Sequence, residues 1–422
     1  MNFWIIQAQE NPAESKQISN RREWRSNTLS EVLADRGHYV VRWRSSFSHQ
    51  KKEQLVNGSV FEEKENYFHQ FIESSPYKSH VGLARIRNHA ELGKNFTKLS
   101  QSYSKKPDAI HVGNVPIELC RAVIEYGKKQ QIPVIVDIRD LWPDTYVEFI
   151  PEKLSFLKPI TLRLLNAFSI GLKKAFKDAT GFTALTDSYL DWALRKAGRK
   201  KQECDKVFPM SYQALNGKPS KKNLKQIRNK FGLLESDLIG CYIGNIGYQS
   251  DFDTIIGAAR QLKQTHKNFK ILVAGSGPQV ETIIENSSDV ENFIFTGWLD
   301  SNELHALLSI SQIGFIAYKS VPNFLLNIPN KFSEYLAGRM AIACGIEGEM
   351  GNLVKQHQCG FTYRAGQIEE LTKNLIELIE CPDVLLKMQK NAELLHKEKF
   401  DGSEIYPQFA DYLERVTRAP SK

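Results

Sequence analysis

No apolar run in this 422-residue chain approaches the roughly 18 residues that a membrane-crossing helix needs, so no span is expected. CxxC spacing is absent among the six cysteines, Cys120, Cys204, Cys241, Cys344, Cys359 and Cys381, and the ten histidines form no HExxH pair. Those absences exclude a zinc ribbon, a thioredoxin-type redox motif and a zincin, and they point to reduced thiols and no structural zinc. There is also no complete G-x-G-x-x-G and no phosphate loop ending in Gly-Lys-Ser/Thr. The opening "MNFWIIQAQENP" has neither a basic leader nor a small-residue cleavage site, so an untranslocated, cytoplasmic chain is expected.

What the chain does have is apolar content, 41% of its residues, and a length that suits about two to three globular domains. Its net charge of +8 is unevenly spread. Residues 1–230 hold 39 Lys and Arg against 24 Asp and Glu, and residues 231–422 hold 17 against 24. The excess concentrates in 151–230, with 18 basic and 6 acidic residues. Such a segment attracts anionic headgroups or nucleic acid, or is simply a solvated face.

Short apolar, β-prone runs alternate with helical stretches in both halves. The runs are 2–8, 39–43, 109–113, 134–138 and 181–186, then 238–244, 269–275, 292–297, 313–318 and 340–345. This alternation predicts an α/β chain of two Rossmann-like, doubly wound domains facing a cleft. The polar, basic "NGKPSKKNLKQIRNKFG" (216–232) reads as the junction. The expected division is 1–215 as first domain, 216–230 as linker, 231–400 as second domain, and 401–422 as a helix that can pack back on the first.

Ligands of such folds bind at the carboxyl ends of the strands, and three segments there carry the right chemistry. Gly244, Asn245 and Gly247 follow one strand, and Gly275, Ser276 and Gly277 follow another. Glycines let backbone approach a phosphate, although each turn also suits a plain strand-to-helix connection. In "NIPNKFSEYLAGRMAIACG", Pro329 and Asn330 open a helix, which puts Lys331 and Glu334 near its N-terminus. Free N–H groups and the helix dipole favour an anion there, and Lys331 adds charge. Glu334 would repel phosphate, but it fits a nucleotide sugar by accepting hydrogen bonds from ribose or sugar hydroxyls. The competing reading is an ordinary surface helix with an acid in its first turn.

The order "GNIG", "AGSG", "FTGWLDSNELHALLSISQIGFIAY", "PNKFSEYLAGRMAIACG" resembles the donor half of the family 4 retaining glycosyltransferases, which have the GT-B architecture. "RSNTLSEVLADRGHYVV" (25–41) resembles the family's opening helix and strand. "PVIVDIRDLWPDTY" (133–146) resembles the "RDLWP" segment of bacterial polysaccharide-assembly members of the fucosamine transferase type. The resemblance implies transfer from a nucleotide-diphosphate sugar to a lipid-linked or saccharide acceptor in O-antigen- or capsule-like biosynthesis. Retention, no metal or other cofactor, and no nucleic acid partner go with it. It assigns Asp140 and Glu334 to catalysis. The donor falls to Gly244, Asn245, Gly247, Gly275, Ser276, Gly277, Asn330 and Lys331, and the acceptor or phosphate side to Arg25 and Arg139.

The sequence departs from the family at several points. The first glutamate of the E-x7-E motif falls on Leu326, and the phosphate-binding Arg and Lys fall on Asn245 and Ser250, which leaves Lys331 as the nearby cation. No glycine precedes Arg25, and "PMS" (209–211) replaces the family's "PNG" turn. Arg25 or Arg22 meets a phosphate, or is a solvated helix charge. Arg139 and Asp140 alternatively form a structural ion pair over Trp142. The segment 154–179 mixes Phe and Leu with Lys158, Arg163, Lys173, Lys174 and Lys177; it suits an anionic membrane surface, and so a chain peripheral to the cytoplasmic membrane, or a core helix with a wet basic face. Two other readings stay open: a noncatalytic nucleotide-sugar-binding subunit, and a nucleotide-sugar 2-epimerase.

Overall fold

The computed structural model describes residues 1–10, 24–49, 52–55, 60–78, 82–145, 150, 156, 158–161, 163, 170–212 and 219–418. The chain forms two compact units: one runs to Pro209 and takes in Glu404–Lys422, and the other is Met210–Ser403.

In the first unit the strands are β1 (Asn2–Ile6), β2 (Tyr39–Ser45), β3 (Val60–Lys64), β4 (Tyr67–Ile72), β5 (Ala109–Gly113), β6 (Val134–Ile138), β7 (Gly181–Ala184) and β8 (Lys206–Val207). They make one sheet in the order β3-β4-β2-β1-β5-β6-β7-β8, parallel except for the antiparallel β3–β4 pair. Every residue of β1 and β6 is buried, as expected for strands covered on both faces. The helices are α1 (Arg25–Asp35), α2 (Leu83–Gln101), α3 (Ile117–Gln130), α4 (Ile170–Asp178) and α5 (Asp187–Ala197).

The second unit places β9 (Leu238–Asn245), β10 (Phe269–Ser276), β11 (Phe293–Gly297), β12 (Ile313–Ile316), β13 (Ala341–Cys344) and β14 (Gly360–Thr362) in an all-parallel sheet ordered β11-β10-β9-β12-β13-β14. Counted from its own first strand this is the 3-2-1-4-5-6 order of dinucleotide-binding folds, with its switch point between β9 and β12. Alternation along β9 feeds two cores: Cys241 and Ile243 face one cluster, and Tyr242 faces the other. Its helices are α6 (Lys221–Lys230), α7 (Phe252–Leu262), α8 (Val280–Asn286), α9 (Ser301–Ile310), α10 (Pro322–Leu325), α11 (Asn330–Ala337), α12 (Glu349–His357), α13 (Ile368–Glu380) and α14 (Pro382–Leu395).

The stretch read as a linker runs into the first helix of the second unit. Residues 216–218 lie outside the described residues, and 221–230 form a helix capped by Ser220, whose hydroxyl accepts the Asn223 N–H. Ile227 is buried in the second unit's core, with Leu224 and Phe231 against it, so apolar spacing made a helix of a stretch that its basic composition disguised. The last helix, α15 (Gly402–Arg418), contributes Tyr406, Phe409 and Leu413 to the core of the first unit. Phe409 stacks on Phe208 with centroids 4.1 Å apart, and burying such a ring contributes about 1.5–3 kcal/mol.

Candidate functional site

At the switch point of the second unit, the last residue but one of β9 is Gly244 with φ +125°, a conformation that favours glycine. A Cβ on Gly275 would lie 1.9 Å from the Gly244 carbonyl oxygen, so the two strand ends pack backbone to backbone. The Ile246 N–H donates to the Ser276 carbonyl at 2.9 Å, and the Gln279 N–H to the Ile246 carbonyl at 3.2 Å. These glycines are therefore required by the fold itself. Asn245 and Ser276 stay exposed, and Gly247 and Gly277 are half-buried.

Helix α11 is not a surface helix. Lys331 and Glu334 are 6% and 2% exposed, and Ser333 is fully buried. The Lys331 Nζ lies 3.6 Å from the Tyr242 ring centroid and 4.8 Å from that of Tyr318. A Cβ on Gly244 would touch that same ammonium at 3.5 Å. Two aromatic faces thus hold a largely desolvated cation beside the end of β9, which is where cation–π attraction is strongest. Burial pushes the Tyr242 phenol up to about 12, so it stays neutral. Its hydroxyl donates to the Asn245 carbonyl at 2.8 Å, with Ser250 Oγ 3.2 Å away.

Further contacts fix the geometry. The Ile243 N–H donates to Tyr335 Oη at 2.9 Å, tying α11 to β9. Tyr318 stacks on Phe324 at 4.0 Å. In the first turn of α11, Asn330 Oδ1 and Ser333 Oγ are closed to solvent and have no hydrogen-bond partner among the described residues. Burial pushes the Cys241 thiol up to about 12, Glu334 adding to the shift and Lys331 opposing it, so both charges lie near this buried strand. Leu326 is half-buried after α10. Asp251, the residue before α7, accepts the Thr254 hydroxyl at 2.6 Å and the Gly366 N–H at 3.1 Å; its carboxylate is a loop staple.

The first unit buries a second set of charges at the ends of β1 and β6. Arg25 is 2% exposed, not solvated. Its Nε and Nη2 donate to the two Asp137 oxygens at 3.0 and 3.2 Å, and Nη1 donates to the Pro209 carbonyl at 3.0 Å. All three guanidinium nitrogens are thus engaged within the protein. Thr183 Oγ1 donates to Asp137 at 2.7 Å, and His111 Nε2 lies 3.2 Å from that hydroxyl. Burial alone would raise the Asp137 carboxyl; the charge and hydrogen bonds of Arg25 and the charge of Arg139 instead hold it well below the usual carboxylate range. Glu10 is held low too, since Arg139 and Arg42 outweigh its burial. Burial lowers His111 to about 4, leaving it neutral.

Arg139 therefore does not pair with Asp140. Its Nη1 donates to Glu10, and its Nε is 4.0 Å from Asp137. Asn114 holds the following turn by accepting the Arg139 N–H at 3.1 Å and donating to the Asp140 carbonyl at 2.7 Å. Asp140 is half-buried, and its Oδ1 has no hydrogen-bond partner among the described residues. Burial raises its carboxyl to about 6, against the Leu141 N–H and the charge of Arg85. Arg22 and much of 154–179 lie outside the described residues. Within α4, Leu172 and Phe176 are buried while Lys173, Lys174 and Lys177 face solvent, the pattern of a core helix with a wet basic face.

The sequence reading missed Tyr242, Tyr318, Glu10 and Asp137. The two tyrosines sit in apolar strand runs that read as core, whereas Arg42 and Arg44 in "YVVRWRS" were a visible signal that a buried strand needed acidic partners. Among the described residues, no group of three or more His, Cys, Asp or Glu is arranged to hold a metal ion.

Residues 224–395 match the family of glycosyl transferases group 1. The chain is 24% identical to the 2-deoxystreptamine glucosyltransferase of Streptomyces kanamyceticus over 53% of its own length, and spans only 58% of that relative. It is 20% identical to the alpha-monoglucosyldiacylglycerol synthase of Acholeplasma laidlawii, covering 75% of this chain and 78% of that one. Its fold matches sucrose-phosphate synthase of Thermosynechococcus elongatus with a TM-score of 0.74 at 14% identity, over 99% of both chains. It also matches HepE of Anabaena, solved with UDP, with a TM-score of 0.67 at 13% identity, over 98% of this chain and 99% of that one. The chain has the GT-B fold, and the match to glycosyl transferases group 1 lies within its second unit.

The ion pairs of the first unit generate a stability prediction. Asp137→Asn strands the Arg25 guanidinium in the core and should cost about 3–5 kcal/mol in urea denaturation at neutral pH. Because the folded pKa of Asp137 is depressed, its contribution is present above the unfolded value of about 4 and is lost as pH falls below it. The variant should therefore lose less stability than wild type on acidification. A change under about 1 kcal/mol would contradict this account.

Proposed function

We propose that the chain is a retaining glycosyltransferase that moves a sugar from a nucleotide-diphosphate donor to a lipid-linked or saccharide acceptor. The setting we favour is cell-surface polysaccharide assembly at the cytoplasmic face of the membrane, as in enzymes of the fucosamine transferase type. The observation that carries the proposal is the Lys331 ammonium, caged by Tyr242 and Tyr318 at the switch point where open α/β sheets bind ligands. The match of 224–395 to glycosyl transferases group 1 and the likeness to a UDP-bound fold support a nucleotide donor. A glycolipid-forming relative supports a lipid-linked acceptor.

In this reading the bond between the sugar's anomeric carbon and the diphosphate breaks as a bond to the acceptor oxygen forms. The diphosphate leaves with the bonding electron pair, and Lys331 with the N-terminus of α11 neutralises it without a resident metal. Glu334 accepts hydrogen bonds from donor hydroxyls, and Asp140 takes the proton of the acceptor hydroxyl. A second reading, a nucleotide-sugar-binding subunit that serves a partner transferase, is favoured by the apolar Leu326 and by Asn245 and Ser250 at the family's charged positions.

Lys331→Ala should weaken UDP binding about 10–100-fold in calorimetry, the worth of a charge-assisted hydrogen bond. Glu334→Gln should spare UDP and impair the complete nucleotide sugar. Unchanged affinities in both variants would sink the donor assignment, and tight UDP binding with neither transfer nor hydrolysis by the pure chain would favour the subunit reading.

With a carboxyl near 6, Asp140 is the ionised base above that pH, so kcat/KM should rise through about pH 6. Asp140→Asn should remove that limb and lower turnover about 10²–10⁴-fold at unchanged donor affinity. A variant with the wild-type profile would remove Asp140 from the reaction.

The membrane proposal rests on Phe156 and Ile160, 68% and 58% exposed, together with the exposed lysines of α4. Lys173, Lys174 and Lys177 changed together to Gln should release the protein from anionic vesicles at low salt, since each cation near the surface is worth about 1 kcal/mol. Equal sedimentation of wild type and variant would exclude electrostatic docking through α4.

A further inference from the structure

The chain passes from the first unit to the second between Pro209 and Met210 and returns between Ser403 and Glu404. On the second unit's side the two passages are laced together by backbone. The Tyr212 N–H donates to the Phe400 carbonyl at 3.2 Å, and the Tyr212 carbonyl accepts the Gly402 N–H at 3.3 Å, which closes a parallel bridge between Tyr212 and Asp401. His396 Nε2 lies 3.0 Å from that same carbonyl, and since a carbonyl only accepts, the ring carries its proton there.

The segment that supplies these groups is irregular. Between α14 and α15, His396–Phe400 forms a π-helical turn, and Asp401 caps the next helix by accepting the Ser403 N–H at 2.9 Å and the Ser403 hydroxyl at 2.7 Å. A π turn holds one residue more than the α turn it displaces and is kept only where its surroundings compensate. Within α15, Pro407 has no N–H to give the Ser403 carbonyl, so the returning passage lies between two weakened turns.

What compensates the π turn leads to α11. Phe400, 2% exposed, lies edge-on to the fully buried Phe332 with centroids 5.7 Å apart, inside the same core cluster. Phe332 follows Lys331, and its N–H donates to the Pro329 carbonyl at 3.0 Å in the turn that opens α11. The first turn of α11 thus bears on the π turn through a ring pair, and the π turn bears on both passages through Tyr212.

We propose that the π turn at His396–Phe400 couples ligand binding at α11 to the two passages: a nucleoside diphosphate over α11 fixes Phe332, Phe332 fixes Phe400, and the bonds to Tyr212 tighten. The inference rests on the donor reading of the switch point and adds a conformational response to it. Such coupling is reciprocal, so a change that uncouples the turn weakens the nucleotide as well.

Amide hydrogen exchange of the full chain with and without saturating UDP reads the lacing bonds directly, because the Tyr212 and Gly402 amides are donors in them. UDP should slow exchange at 210–212 and 396–402 about five-fold or more, alongside its effect at 244–250 and 275–279. In Phe400→Ala, UDP should still protect 244–250 and 275–279 but leave 396–402 unchanged, and its affinity should fall about five-fold. His396→Ala tests the other end of the path and should lose the response at 210–212 while keeping that at the switch point. Protection of 244–250 and 275–279 in wild type with no change at 210–212 and 396–402 overturns the proposal and leaves the donor reading intact, and this comparison holds even where a variant fails to fold. Folded Phe400→Ala and His396→Ala that both respond as wild type does would overturn it too. No protection anywhere at saturating UDP would count against the donor reading, and the coupling would fall with it.

Discussion

Charge buried at the carboxyl ends of parallel strands is the constraint around which both units are organised. A guanidinium or ammonium removed from water is tolerated only when fixed dipoles, opposite charges or aromatic faces replace the lost hydration. The first unit meets this with carboxylates: Asp137 and Glu10 take up Arg25, Arg42 and Arg139. The second unit uses rings, with Tyr242 and Tyr318 facing Lys331. The difference in partner separates a structural charge from one suited to a ligand. A guanidinium bonded through every nitrogen is taken up within the protein, whereas the Lys331 ammonium meets ring faces at the end of a strand.

The same logic explains how fold and chemistry fit together. Backbone packing between the ends of β9 and β10 demands Gly275, the φ of +125° favours glycine at 244, and the Lys331 ammonium lies beside that strand end. Tyr335 then ties α11 to β9, so the register of one helix fixes both the cation and Glu334. In the first unit the packed network holds β6, and Asn114 sets the turn that follows it, which leaves Asp140 half-buried with a raised carboxyl. Rigid, internally satisfied charges support the side chains that are left reactive.

Much of the architecture was legible because each strand is a short apolar run closed by a turn. The runs at 2–8, 109–113 and 134–138 became Asn2–Ile6, Ala109–Gly113 and Val134–Ile138, and the helix Ser301–Ile310 is started by an Asp300–Glu303 capping box that is visible as D-x-x-E in the sequence. The strands Val60–Lys64 and Tyr67–Ile72 were not found, because "VFEEKENYFHQFI" mixes charge and His with its apolar residues. Gly360–Thr362 is too short to show any alternation. The sites were less legible for a different reason. Arg25 and Asp137 are 112 residues apart in sequence, and Tyr318 reaches Lys331 only through the crossover of β12 onto β9. Pairings of that kind depend on topology, which local periodicity does not encode.

The central claim is that a nucleoside diphosphate settles at the β9–β12 switch point of the second unit, over α11. Amide hydrogen exchange of the full chain with and without saturating UDP tests it most directly. The account predicts slowed exchange in 244–250, in 275–279 and in the first turn of α11 at 330–333, with the first unit's strands unchanged. Protection confined to the first unit, or no protection at ligand concentrations that saturate binding, would contradict it.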